Sequence, residues 1–132
     1  MKLRVVRQGE WRVLAICTAR GDCPLLELLG EIEGNLRRDR LGMLKLLERV
    51  AQVGPPRNAE TSKKLSADIF ELRFGQLRVL WFYAEHRIVV CSHGFVKRSQ
   101  KTPAGELARA ERACRAYRLA KAAGTLSEAE EP

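Results

Sequence analysis

No stretch of the chain reaches the run of about 18 apolar residues that a helix needs to cross a bilayer, so a membrane-spanning helix is excluded. The first residues, MKLRVVRQGE, carry charge where a signal peptide keeps its apolar stretch. Secretion is therefore disfavoured, and a cytoplasmic protein with no membrane partner is expected. The four cysteines, Cys17, Cys23, Cys91 and Cys114, form no CxxC pair, and His86 and His93 are the only histidines able to complete a zinc set. No structural metal or cofactor is expected, and the thiols read as small buried hydrophobes of a reducing compartment. Glycine-rich phosphate loops, HExxH and GxSxG are missing too, as are internal repeats and low-complexity segments.

What is present fits one compact domain over residues 1–132: a mass of 14.9 kDa, 45% hydrophobic and 30% charged residues. Lys and Arg number 24 against 16 Asp and Glu, a net charge of +8 that favours a polyanion or an acidic protein as partner. The β-branched and aromatic run Trp11 to Ala19 predicts a strand. Leu25, Leu28, Leu29, Ile32 and Leu36 recur at helical spacing with Asp22 or Cys23 as cap. After the polar NLRRDR stretch, Leu41, Leu44, Leu47 and Val50 do the same, which gives two short helices ending at Gly54-Pro55-Pro56. RNAETSKKLSAD then reads as a loop.

Three strand-like runs follow, Ile69 to Phe74, Leu77 to Tyr83 and Arg87 to Val96, and connectors this short make them an antiparallel meander. Thr102-Pro103 offers a cap and first-turn proline for a last helix with Leu107, Ala110, Cys114 and Tyr117 on its inner face, running to about Gly124. The acidic tail from 125 to 132 reads as frayed. The order describes an α+β domain with its helices on one sheet face.

Between Lys63 and Lys101 lie eight basic residues against three acidic ones, so a surplus of five of the eight net charges sits on the meander and its exit loop. Alternation puts Phe70, Leu72 and Phe74 on one face, Glu71 and Arg73 on the other, and Arg78 with Leu80 and Phe82. An arginine among aromatics on such a meander is either packed under a salt bridge with Glu71 or Glu85, or held for work.

The segments ELRFGQLRVLWFY (Glu71 to Tyr83), IVVCSHGFVKRSQKTP (Ile88 to Pro103) and ELARAERACRAY (Glu106 to Tyr117) resemble the RelE/HigB superfamily of toxins from type II toxin–antitoxin modules, in its phage-derived HigB-like branch. The resemblance covers about Trp11 to Tyr117 and is most specific over His93 to Pro103. It implies a small antiparallel sheet of about four strands, with two N-terminal helices and one C-terminal helix packed on it. It further implies a metal-independent endoribonuclease that cuts mRNA on the ribosome and is neutralised by a cognate antitoxin. The chain departs from the family pattern at Glu71, where some members carry lysine. It also lacks a C-terminal catalytic tyrosine, since Tyr117 falls on the core face of its helix.

Carried over by position, Arg73, Arg78 and the pair Lys97 and Arg98 occupy the family's basic positions. RNA is cut by its own 2′-hydroxyl when a base removes that proton, an acid protonates the 5′-oxygen and cations hold the phosphorane. Guanidinium forks suit that last task. Arg73, Arg78, His93 and Lys97 are therefore the catalytic candidates, with Lys63, Lys64, Arg98 and Lys101 lining the RNA path. Each has a plainer alternative. His93 reads equally as a strand histidine bonded to a backbone carbonyl, and Lys97 to Lys101 as a solvated edge that discourages strand pairing. Trp81, Phe82 and Tyr83 read first as packing, and Arg37, Arg38 and Arg40 as a solvated helix face. A non-catalytic RNA- or protein-binding member of the same fold is the alternative function. A DNA-binding regulator finds no helix-turn-helix pattern to support it.

Overall fold

The computed structural model describes residues 1–129. They form β1 (Lys2–Gln8), β2 (Arg12–Ile16), α1 (Pro24–Glu31), a 3-10 turn (Gly34–Leu36), α2 (Arg37–Val53), β3 (Ser62–Lys64), β4 (Phe70–Phe74), β5 (Leu77–Ala84), β6 (Ile88–Val96), α3 (Ala104–Ala123) and β7 (Ser127–Ala129). The strands make one mixed sheet in the order β3-β4-β5-β6-β2-β1-β7. β4, β5 and β6 form the expected antiparallel meander, whereas β2 pairs parallel with β6 and β7 parallel with β1.

The α+β class holds, but the sheet has seven strands among the described residues rather than about four, and it is not purely antiparallel. The helices also cover both faces rather than one. Leu77, Val79 and Trp81 of β5 face α1 and α2, packing with Leu25, Leu29, Met43, Leu47 and Val50. Leu80 and Phe82, the alternate residues, face α3 through Ala110, Cys114 and Tyr117. This two-sided cover is why β5 is apolar almost without interruption, the pattern of a strand buried on both faces.

Local signals explain most element ends. Pro24 opens α1, and Gly54 closes α2 at a φ of 89° with its N–H on the Val50 carbonyl. Arg37 to Arg40, which read as part of a polar break, form the first turn of α2. Gly124 ends α3 in the left-handed conformation, at a φ of 72°. Thr102 does not cap α3: the N-cap position is Pro103, with no side-chain cap bond. The segment expected to be a loop contains β3, and the expected frayed tail supplies β7, docked on β1 and tied by an ion pair between Arg12 and Glu128. The rest of that tail lies outside the described residues. Cys23, Cys91 and Cys114 are buried, Cys17 is half-buried, and all four are free thiols. Burial pushes the Cys91 thiol up to about 12. Among the described residues no helix is long and apolar enough to cross a membrane.

Candidate functional site

The two-residue Gly75-Gln76 turn fixes the β4–β5 register, so Arg73 stands directly opposite Arg78 and Glu71 opposite Leu80. Gly75 sits at a φ of 56°, and a Cβ there would fall 2.2 Å from the Asp39 carboxylate, so any other residue strains the backbone and displaces Asp39. Asp39 in turn accepts the Gln76 N–H at 2.8 Å, which clamps the turn to the start of α2.

Glu71 is the centre of the site. It is 1% exposed, and the Arg73 Nε donates to its Oε1 at 2.9 Å while the Arg78 Nε lies 3.8 Å from the same oxygen. The Thr102 hydroxyl donates to Oε2 at 2.6 Å, tying the loop after β6 to the strand floor. Arg78 spends its Nη1 on the carbonyls of Gly75 and Leu77, at 2.7 and 2.8 Å. Burial pulls its guanidinium below the usual range; the Arg73 charge adds to this, and Glu71 and Asp39 oppose it. Arg73 is more open, with its side chain 26% exposed, and its two terminal nitrogens bond to none of the described residues.

These groups line a narrow cleft with Phe95, Lys97, Gln100 and Thr102, of about 10 Å³, room for a single water. It opens onto a broader depression of about 660 Å³ lined by Gln76, Val96, Lys97, Arg98, Ser99 and Gln100. Lys97 and Gln100 border both, and the Lys97 N–H donates to the Gln76 carbonyl at 2.7 Å.

The structure thus brings together Arg73, Arg78 and Lys97, with Arg98 in the adjoining depression. Lys63 joins their sheet face as the cross-strand partner of Glu71, while Lys64 pairs with Phe70 on the other face and lies 5.9 Å from its ring centre. Lys101 is exposed on the same loop as Arg98, outside the residues that line either concavity. His93 is elsewhere. Its ring is 1% exposed, with Nδ1 2.8 Å from the Ser92 hydroxyl and Nε2 3.2 Å from the Glu106 carboxylate. Burial holds its pKa below the ordinary histidine value, the Arg109 charge adds to that, and Glu106 opposes it.

Of the ion pairs weighed for the arginines, the one with Glu71 forms; Glu85 pairs with Lys121 instead, at 2.9 Å. Trp81 and Phe82 are buried packing residues, and Tyr117 packs against Phe82 at a tilt of 60° with ring centres 5.5 Å apart. Sequence reasoning missed Thr102 and Gln100 as site residues and treated Glu71 as a departure rather than a hub. The E-x-R spacing, which places both side chains on one strand face, was the available signal for the Glu71–Arg73 pair. Among the described residues no group of three or more His, Cys, Asp or Glu converges in a way that could hold a metal.

A family model described as "Phage derived protein Gp49-like (DUF891)" matches residues 36–115, which include α2, the whole meander and the loop that Thr102 anchors. No curated protein matches the chain.

Proposed function

The chain belongs to the phage-derived, Gp49-like protein family, which falls in the RelE-like toxin group, and from that premise we propose that it is the toxin of a toxin–antitoxin module and an mRNA endoribonuclease. The observation that carries this reading is the Arg73–Arg78–Lys97 cluster, held around a buried carboxylate beside an open basic depression. RNA lies in the depression along Lys97 and Arg98, and its scissile phosphate meets the outward fork of Arg73. As the 2′-oxygen attacks the phosphorus and the bond to the 5′-oxygen breaks, negative charge grows on the equatorial phosphate oxygens; the 2′-hydroxyl proton passes to solvent water and the departing 5′-oxygen takes one up from it. Arg73 and Lys97 hold that negative charge; Glu71 keeps Arg73 in place, and Arg78, fixed by two carbonyls and Glu71, adds its charge from the cleft wall.

Both Glu71 oxygens already accept hydrogen bonds and the His93 ring is covered, so the cleft's contribution is electrostatic stabilisation rather than proton transfer by either residue. The ribosome, as the site of cleavage, and the HigB-like branch belong to the same proposal. So do a cytoplasmic setting and a separately encoded acidic antitoxin.

The test is induction of the wild type and of Arg73→Ala in cells, with mapping of mRNA 5′ ends and growth. Removing one preorganised charge-stabilising donor slows the chemical step by about 10²–10³-fold, so cleavage and growth arrest should fall together. Unchanged cleavage by a folded Arg73→Ala protein would refute the assignment. A second reading, a non-catalytic binding member, draws on the cleft's small volume of about 10 Å³ and on the carboxylate that already neutralises part of its charge. That reading wins where the wild type cuts nothing, with or without ribosomes.

A further inference from the structure

On the opposite side of the β4–β5 turn from the cleft, α2 and the end of β4 enclose a second surface. Gly42 contributes no side chain there: a Cβ would fall 1.9 Å from the Phe74 ring, so the ring lies across bare helix backbone. Phe74 is nevertheless 40% exposed and its neighbour Leu41 51% exposed, an apolar pair open to water on a strongly charged protein. They floor a groove of about 580 Å³ walled by Arg37, Arg38 and Lys45. The groove runs on into a depression of about 360 Å³ past Lys45 and Arg49 toward Pro56.

No acidic residue lines either part, and Arg37, Arg38, Lys45 and Arg49 form no ion pair among the described residues. Leaving four exposed cations unneutralised around an apolar floor is the complement of one kind of ligand: a chain segment with carboxylates flanking apolar side chains. The distance fits as well. Arg37 to Arg49 spans about 18 Å along the helix axis, the length of a partner helix of about 12 residues. Single-stranded RNA fits less well, because its phosphates would meet the cations but leave the Leu41–Phe74 floor uncovered, and one face of the Phe74 ring is already taken by the Gly42 backbone.

We propose that the α2–Phe74 groove is the docking site for an acidic amphipathic helix of a partner protein. Its apolar side chains seat on Leu41 and Phe74 at i, i+3/i+4 spacing, and its carboxylates pair with Arg37, Arg38, Lys45 and Arg49. The groove shares no lining residue with the basic depression, but its extension past Arg49 is also lined by Arg73, so an occupant there borders the cleft without filling the depression. In naming a surface for the acidic partner, the proposal rests on the toxin reading, but its test reads no cleavage, so either can fail alone.

The full chain is immobilised and challenged with a display library of random peptides of about 12 residues, the span of the groove. Enriched sequences should combine Asp or Glu with Leu, Ile or Phe at helical spacing. A fluorescent copy of the leading peptide should bind the wild type, and lose about tenfold in affinity, the loss expected of an interface anchor, with Phe74→Ser and with the double variant Lys45→Glu/Arg49→Glu. Leu41→Ser, at a site already half in water, repeats the measurement where the fold is not at stake. Three results would each overturn the proposal: enriched peptides no more acidic than the library, unchanged affinity in Leu41→Ser and Phe74→Ser, or an RNA oligonucleotide that loses as much affinity as the peptide in those variants.

Discussion

Replacing Glu71 with glutamine keeps the shape of the side chain, removes its charge and turns one of its two acceptor oxygens into an NH2 donor, so that the Thr102 hydroxyl has to accept rather than donate. In the native chain the carboxylate is 1% exposed and receives Arg73 at 2.9 Å, Arg78 at 3.8 Å and Thr102 at 2.6 Å. Removing one partner of a fully buried ion pair destabilises by about 3–5 kcal/mol, because the other charge is left without its counter-charge. Arg73 is partly in water and Arg78 keeps two backbone carbonyls, so the expected loss is smaller, about 2–3 kcal/mol. At roughly 3 °C per kcal/mol for a domain of this size, the midpoint of thermal unfolding should drop by about 6–9 °C. Urea unfolding followed by far-ultraviolet circular dichroism measures the same quantity, and the midpoint should move at constant slope. A Glu71→Gln protein within about 0.5 kcal/mol of wild type would show that the carboxylate is not what holds the arginines together.

Gly75→Ala should destabilise by about 2 kcal/mol, through the left-handed backbone at that residue and the loss of the Asp39 clamp on Gln76. A loss below about 0.5 kcal/mol by urea unfolding would contradict the turn geometry. His93 gives a pH signature. Its pKa is held below the ordinary 6.5, so the unfolded chain takes up a proton more readily than the folded one. The stability from keeping this ring neutral is complete above a pH of about 6.5 and declines as pH falls toward the folded pKa, with a slope of at most about 1.4 kcal/mol per pH unit. His93→Gln should flatten that part of the stability profile, and an unaltered profile would mean that the buried ring does not titrate in this window.

The meander and the three helices were legible because each carries a local pattern: alternation from Phe70 to Phe74, short turns at Gly75-Gln76 and Glu85 to Arg87, and spaced leucines in α1 and α2. The strands that escaped notice lack one. In β1 Leu3 and Val5 pack toward α3 and Val6 toward α2, but charged residues flank them and a register shift between Val5 and Arg7 interrupts the pairing, so the run KLRVVRQ reads as charged rather than two-faced. β3 is three residues, Ser-Lys-Lys, at a sheet edge where polar side chains are the norm, and β7 is Ser-Glu-Ala, held by its partner strand rather than by propensity. The parallel β2–β6 pairing joins segments more than 70 residues apart, Arg12 with Ile88 and Ala15 with Cys91, which no local pattern encodes. Helices on both faces could be inferred from the apolar continuity of β5, whose residues from Leu77 to Phe82 leave no side for water.

The candidate site shows the same division. Its basic residues were legible one by one, but the geometry among them depends on the turn. Two residues between Phe74 and Leu77 force Arg73 and Arg78 into directly opposed positions, an arrangement of like charges that destabilises a strand pair. A shared carboxylate relieves this: Glu71, two residues before Arg73 on β4 and diagonal to Arg78 on β5, is that group. One carboxylate against two guanidinium groups leaves a net positive charge, with the outward fork of Arg73 unengaged by the described residues and Lys97 across the cleft. On the toxin reading, an arriving phosphate would meet cations already held in place and take up the positive charge that Glu71 leaves over. Such preorganisation is what the toxin reading requires of a site that must stabilise charge only as the phosphorane forms.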